Sequence, residues 1–241
     1  TTLNVYILGD PSRGRSASSD RTAIAVIGQD SRGNRYLLDG YRHRMTLSQR
    51  WDALKHLHKK WSTAIGVGIV RTGYERYGQQ SDDEYFRERM REEGYAFQIE
   101  ELSWPREGEG SKKARVERLQ PDFEFGSFYL PALVHVPKVG PSYWSANEAE
   151  GRMDTRPAEG DTKAMAAAKK RGESHLACQA LPRRDEDGNL YDLTLSLMEE
   201  MLFFPFGSKD DLVDAVSRIY DIEPMNAAID DGRLDEPAYA D

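Results

Sequence analysis

The chain has 241 residues, 39% hydrophobic and 31% charged, a soluble globular profile long enough to bury one ordinary core. Its formal net charge of −8 argues against a generic nucleic-acid binder held by a broad basic surface. No run approaches the roughly 18 to 20 apolar residues that span a bilayer, Thr1 to Val5 lacks the regions of a secretion signal, and the single cysteine, Cys178, excludes an internal disulfide.

Leu3 to Gly9 alternates, is rich in β-formers and stops at Asp10-Pro11, which predicts a strand ending in a loop. Thr22 to Gly28 and Tyr36 to Tyr41 predict two more strands around a turn at Asp30 to Asn34, an antiparallel meander. Thr46 to Trp61 predicts an amphipathic helix with Leu47, Trp51, Leu54, Leu57 and Trp61 on one stripe and a Thr46–Gln49 capping box. Ala64 to Val70 reads as a buried strand, Ser81 to Glu93 as a helix closed by Gly94, and Ala96 to Leu102 as a strand. Lys112 to Leu119 follows as a short basic helix and Ser127 to Leu130 as a short strand. From Pro131 to Gly172 periodicity is lost and an irregular excursion is expected, with one helix at Thr162 to Arg171. His175 to Pro182 and Leu190 to Leu195 flank Asp187-Gly188-Asn189 as a hairpin. A last helix runs from Asp210 to Tyr220, and the acidic tail after Ile222 is expected to fray.

Three strands, helix, strand, helix, strand and a late helix is the order of a ribonuclease H-like α/β fold. Such a fold has a mixed sheet flanked by helices, here with a β-hairpin and loop insertion before the last helix. The expected organisation is one ribonuclease H-like domain over 1–222, carrying the insertion at 131–198, and an acidic tail at 223–241.

Carboxylates stand where chemistry would want them. Asp10 closes the first strand, at the end where open α/β sheets place their sites. Glu75 follows the fourth strand, and Asp210, Asp211 and Asp214 open the late helix, with Asp211 and Asp214 three apart on one face. Hard cations such as Mg²⁺ take oxygen ligands, and two ions about 3.5 to 4 Å apart can activate a water and stabilise the leaving oxygen in phosphodiester hydrolysis. Asp10, rigidly placed at a strand end, is the expected bridging ligand. Each acid also has a plainer reading: turn chemistry for Asp10 before Pro11, the helix dipole for Asp210 and Asp211, and an exposed loop charge for Glu75.

The acids sit within longer motifs. Asp10-Pro11-Ser12 through Asp20-Arg21-Thr22-Ala23 resembles the first motif of phage large terminase nuclease domains. Gly73-Tyr74-Glu75-Arg76-Tyr77-Gly78-Gln79-Gln80-Ser81-Asp82 is similar to the second acidic motif of that family. Phe204-Pro205-Phe206-Gly207-Ser208-Lys209-Asp210-Asp211-Leu212-Val213-Asp214-Ala215 resembles its closing motif, and Lys112 to Leu119 its basic helix. All occur in the family's order, across about residues 3 to 221.

The resemblance implies an endonuclease that uses two divalent ions, Mg²⁺ or Mn²⁺, to cut concatemeric viral DNA during genome packaging. It implies Asp10, Glu75, Asp210 and Asp211 as catalytic metal ligands, with Asp20 and Asp214 as supporting acids at the metal site. The loop from Asp10 to Asp20 is longer than usual, and Lys209 replaces a polar residue that is commonly His. The implied partners are double-stranded DNA, a packaging ATPase domain of the same protein, the portal and the small terminase subunit. The implied location is the cytoplasm of the infected bacterium, with no membrane association and a monomeric isolated domain. The phosphate-binding loop of an ATPase, G-x-x-x-x-G-K-[ST], is absent, so this chain is expected to be a nuclease domain that does not hydrolyse ATP.

Arg13, Arg15, Lys112, Lys113, Arg115, Arg118, Arg183 and Arg184 are the expected phosphate contacts; a solvated charged face is the plain alternative. The five histidines lack zinc spacing, His56 and His58 read as surface residues, and Cys178 reads as packing. Two other functions fit parts of the pattern. One is another ribonuclease H-like nuclease of resolvase or transposase type, and the other a non-catalytic DNA-binding or motor-docking module.

Overall fold

The structure is a computed structural model; it describes residues 2–12, 21–75, 81–102, 110–131, 181–207 and 209–229. β1 (Leu3–Asp10), β2 (Thr22–Gln29) and β3 (Arg35–His43) form the antiparallel meander. α1 (Leu47–Ser62) leads to β4 (Val67–Glu75), which pairs parallel to β1. α2 (Ser81–Glu93) leads to β5 (Ile99–Leu102), parallel to β4. The sheet order β5-β4-β1-β2-β3 is that of the ribonuclease H-like fold, and the two-residue β6 (Phe128–Tyr129) extends it beyond β3.

Helices cover both faces, which is why the two central strands are buried almost end to end and read as near-continuous apolar runs. Because side chains alternate along a strand, Val5, Ile7, Ile24, Val26 and Tyr74 pack on one face against Trp51, Leu54 and Leu57 of α1 and Phe86 of α2. Burying each of those three α1 side chains contributes roughly 1.5 to 3 kcal/mol, and the capping box predicted at Thr46 and Gln49 is formed. Tyr6, Leu8, Ala23, Ala25 and Ile27 face the other way. There they meet α3 (Gly110–Glu117), α5 (Leu193–Phe203) and α6 (Asp211–Ser217), which continues as a 3-10 turn, Arg218–Tyr220. A short α4 (Gln120–Glu124) joins α3 to β6.

A hairpin stands at the predicted turn as β7 (Pro182–Arg184) and β8 (Leu190–Asp192); its first strand starts where the expected His175–Pro182 arm ends, and 175–180 lie outside the described residues. Its turn, Asp185 to Asn189, repeats the β2–β3 turn at Asp30 to Asn34. In both, the aspartate Oδ1 accepts two backbone N–H groups, including that of the asparagine four residues on. In both, the glycine before that asparagine takes a left-handed φ, +85° at Gly33 and +81° at Gly188.

Three expectations are corrected. Leu193 to Leu195 is the start of α5, not the end of a strand: Asp192 accepts the Leu195 N–H as N-cap. β4 begins at Val67 rather than Ala64 and runs five residues past Val70, because it pairs with β1 along its length. Residues 223–229 do not fray. Tyr6 and Asn4 hydrogen-bond the Met225 carbonyl, Gln29 bonds Asn226, and Ala227 is buried. The 132–180 excursion, including the expected helix at 162–171, lies outside the described residues, as do 230–241. Among the described residues no helix is long and apolar enough to cross a membrane.

Candidate active site

Two parallel strands and one helix bring the acids together. Asp10 ends β1 and Glu75 ends β4, each one residue beyond the Gly9–Tyr74 register pair. Alternation carries both onto the face that α6 covers, since Leu8 and Asp10 share one parity while Tyr74 packs on the opposite side. Glu75 is therefore the last residue of a strand and not a loop residue. β1 leaves through Pro11 and Ser12, where the Ser12 N–H donates to Thr22 Oγ1 at 3.3 Å and Arg50 donates to the Ser12 carbonyl at 2.9 Å.

α6 lies across β1 and β2 and presents Asp214 toward Asp10. Burial pushes the Asp10 carboxyl up to about 7, and the negative charge of Asp214 adds to the rise against the pull of Arg218, Lys112 and Arg115. Asp10, Glu75 and Asp214 are all buried, and the latter two are tied to a cation. Arg218, fully buried, pairs with Glu75 and also holds Asp221 at 3.1 Å. Arg115 donates through Nε to Asp214 at 2.7 Å, and Lys112 lies 3.5 Å from Asp214 and 2.8 Å from Asp210. Asp210 is a third exposed, whereas Asp211 is buried 3.7 Å from Arg42.

Carboxylate oxygens are the donor set of a hard cation, so the residues suit a divalent ion by chemistry. Among the described residues no three His, Cys, Asp or Glu side chains are gathered closely enough to hold one. Each acid lies instead against a cation: Glu75 against Arg218, Asp214 against Arg115, Asp210 against Lys112 and Asp211 against Arg42.

The expected phosphate contacts are distributed differently from the sequence reading. Arg115 is buried on Asp214, Arg118 bonds Asp221 at 2.5 Å, and Lys112 bridges two acids. Arg183, on β7, donates to the Gly40 carbonyl at 2.8 Å and pairs with buried Asp39. A buried or half-buried acid attracts the nearest guanidinium, and sequence spacing does not show which acid that will be. Lys113, beside Glu117, and Arg184 remain exposed at the surface. Arg13, Arg15 and Asp20 lie outside the described residues. His58 is half-buried, stacked on Phe97 with ring centroids 4.2 Å apart and bonded to the Tyr95 hydroxyl at 2.7 Å.

Sequence reasoning missed Glu200, Arg42 and Arg218. Glu200, buried in α5, accepts the N–H groups of Leu212 and Val213 at 2.7 and 2.8 Å and lies 2.6 Å from Arg42 Nε. Burial pushes its carboxyl up to about 7, with Arg42 opposing and Asp211 adding. A glutamate on the inner side of the apolar run Leu193 to Phe203 was the available signal.

No family model matches the chain, and no curated protein matches it. Among solved structures, the chain is similar to the terminase nuclease domain of human cytomegalovirus, soaked with manganese and bound to an inhibitor. The TM-score is 0.48 at 16% identity, over 91% of this chain and 82% of that one. The manganese-soaked domain of the same virus matches with a TM-score of 0.43 at 13% identity, over 92% and 82%.

Proposed function

We propose that the chain is a metal-dependent DNA endonuclease. The observation that carries this reading is the joint burial of Asp10, Glu75 and Asp214, delivered by two parallel strand ends and the helix that crosses them. A binding module gains nothing from burying Asp10 where the charge of Asp214 raises the cost of ionising it.

In this reading Asp10, Glu75 and Asp214 hold the ions, two of Mg²⁺ or Mn²⁺, with Asp210 and Asp211 at the rim and Asp20 in support. Divalent ions, when bound there, would supply Lewis-acid chemistry for phosphodiester hydrolysis. The residues do the rest. Asp10, at the end of a strand paired on both sides, would fix the geometry and would have to be deprotonated to hold an ion. Arg115 and Arg218, buried and always charged, keep Asp214 and Glu75 in single orientations. Lys112, on a long partly exposed side chain beside Asp210 and Asp214, would be the cation placed to meet a phosphate. The motif resemblance supports concatemeric viral double-stranded DNA as substrate, with a packaging ATPase domain, portal and small terminase subunit as partners and the infected cell's cytoplasm as location.

The test incubates the purified chain with supercoiled plasmid in Mn²⁺, Mg²⁺ or EDTA beside an Asp10→Ala variant. Nicking and linearisation that need metal and fall at least about a hundredfold in the variant are expected, as for loss of a positioned ligand carboxylate. Cutting that persists without metal, or in the variant, overturns the assignment. Absence of cutting in either metal favours the non-catalytic module.

A further inference from the structure

α6 starts without a cap of its own. Asp210 stands at its N-cap position, yet its side chain makes no capping hydrogen bond; the carboxylate turns instead to Lys112 at 2.8 Å. A helix start leaves several N–H groups without partners, and in this buried setting they need acceptors. Glu200 supplies one from α5: a single carboxylate oxygen takes the N–H groups of both Leu212 and Val213. Its other oxygen faces Arg42, whose guanidinium also reaches Asp211 and whose backbone N–H donates to the Tyr191 hydroxyl of the hairpin at 2.7 Å.

From this geometry we infer that Glu200 is a positioning residue for the acidic centre. By capping α6 from outside, it fixes the first turn of the helix against the sheet and sets the direction of Asp211 and Asp214. It also releases Asp210 from the local capping role that an aspartate at this position ordinarily takes. A buried carboxylate is a costly way to fill space, and an apolar residue would pack there without that cost. The inference rests on the nuclease reading, because it assigns Glu200 to the aim of carboxylates that would hold metal.

The test measures Mn²⁺ binding to the full chain by the loss of the free-ion electron paramagnetic resonance signal, so it does not depend on cleavage. Glu200→Gln keeps an acceptor oxygen for the α6 amides, and Glu200→Met keeps the length and bulk without it. Both lose the charge facing Arg42, so their difference isolates the cap. Leu197→Ala, which truncates a fully buried neighbour on the same helix, controls for plain destabilisation. Glu200→Met is expected to weaken Mn²⁺ binding at least tenfold, with Glu200→Gln and Leu197→Ala within threefold of the parent. Equal affinity of Glu200→Met and the parent, or equal weakening by Leu197→Ala, overturns the role of Glu200 and leaves the nuclease reading standing. A parent chain that binds no Mn²⁺ overturns both.

Discussion

At the scale of single residues, the chemistry turns on how Asp10 is kept. Its carboxyl is buried at a strand end, and burial together with the charge of Asp214 pushes it up to about 7 from an ordinary 3.8. A ligand must be deprotonated before it binds a cation, so proton and metal compete for this oxygen. The expected outcome is Mn²⁺ affinity that falls as pH drops below about 7, by up to about tenfold per unit for one displaced proton. Calorimetry in buffers of different ionisation enthalpy should show close to one proton released per ion at pH 6 and almost none at pH 8.5. Proton release that does not change across this range would remove Asp10 from the metal site. The same shift governs stability without metal. Between the unfolded value and about 7 the native state binds more protons than the unfolded chain, so stability falls as pH rises through that window and levels off above it. Glu200, pushed up to about 7 from 4.5, adds to the same slope. Urea midpoints from pH 5 to pH 8 should therefore decline in EDTA, and Asp10→Asn should flatten the decline.

At the scale of elements, the approach of α5 to β3 depends on one glycine. Gly40 has φ +152°, and a Cβ there would lie 2.3 Å from the Ile24 carbonyl oxygen and 2.9 Å from Leu193 Cδ2, at the first residue of α5. Gly40→Ala is therefore expected to cost about 1 to 3 kcal/mol by overpacking and backbone strain, read from urea unfolding. Because the displaced helix carries Glu200, Mn²⁺ affinity should fall with it. Gly188→Ala at the hairpin tip, φ +81° with nothing within 4 Å, should lower stability by about 1 to 2 kcal/mol and leave metal affinity unchanged. Equal effects of the two substitutions on metal binding would separate the packing of α5 from the site. This helix is also where the sequence was hardest to read. β1 to β3, α1 with its capping box, and α2 were legible because their periodicity, caps and turn residues all agree. In Leu193-Thr194-Leu195-Ser196-Leu197 the apolar residues alternate as in a strand, while the helix is set by the Asp192 cap and by packing on the sheet. The far end of β4 was hidden for a related reason: Arg71 to Glu75 owes its strand state to pairing with β1 and β5, contacts that leave no local signal. The acids could be placed from strand ends and a helix start. Their cationic partners could not, since Arg42, Arg115 and Arg218 meet them across large sequence separations.

At the scale of the whole molecule, the −8 net charge and the acidic centre must be reconciled with a polyanionic substrate. Six carboxylates, those of Asp10, Glu75, Asp210, Asp211, Asp214 and Glu200, are set against four cations, Arg42, Lys112, Arg115 and Arg218. Among these described groups, when all are ionised, two negative charges are left over, and three of the four cations, Arg42, Arg115 and Arg218, are buried away from any phosphate. Divalent ions would reverse the sign of this centre, whereas the protein alone repels DNA from it. Binding of a labelled duplex, followed by fluorescence anisotropy in about 150 mM salt, is therefore expected to be weak in EDTA and at least about tenfold tighter in Ca²⁺. Calcium is a hard cation with looser coordination, chosen to load the carboxylates. Asp10→Ala should lose most of that gain, because its metal-free state already resembles the EDTA condition. Tight binding in EDTA with a steep salt dependence would instead mean that a basic surface neutralises many phosphates. Affinity would then come from contacts away from the acids, and the metal would be left with chemistry alone.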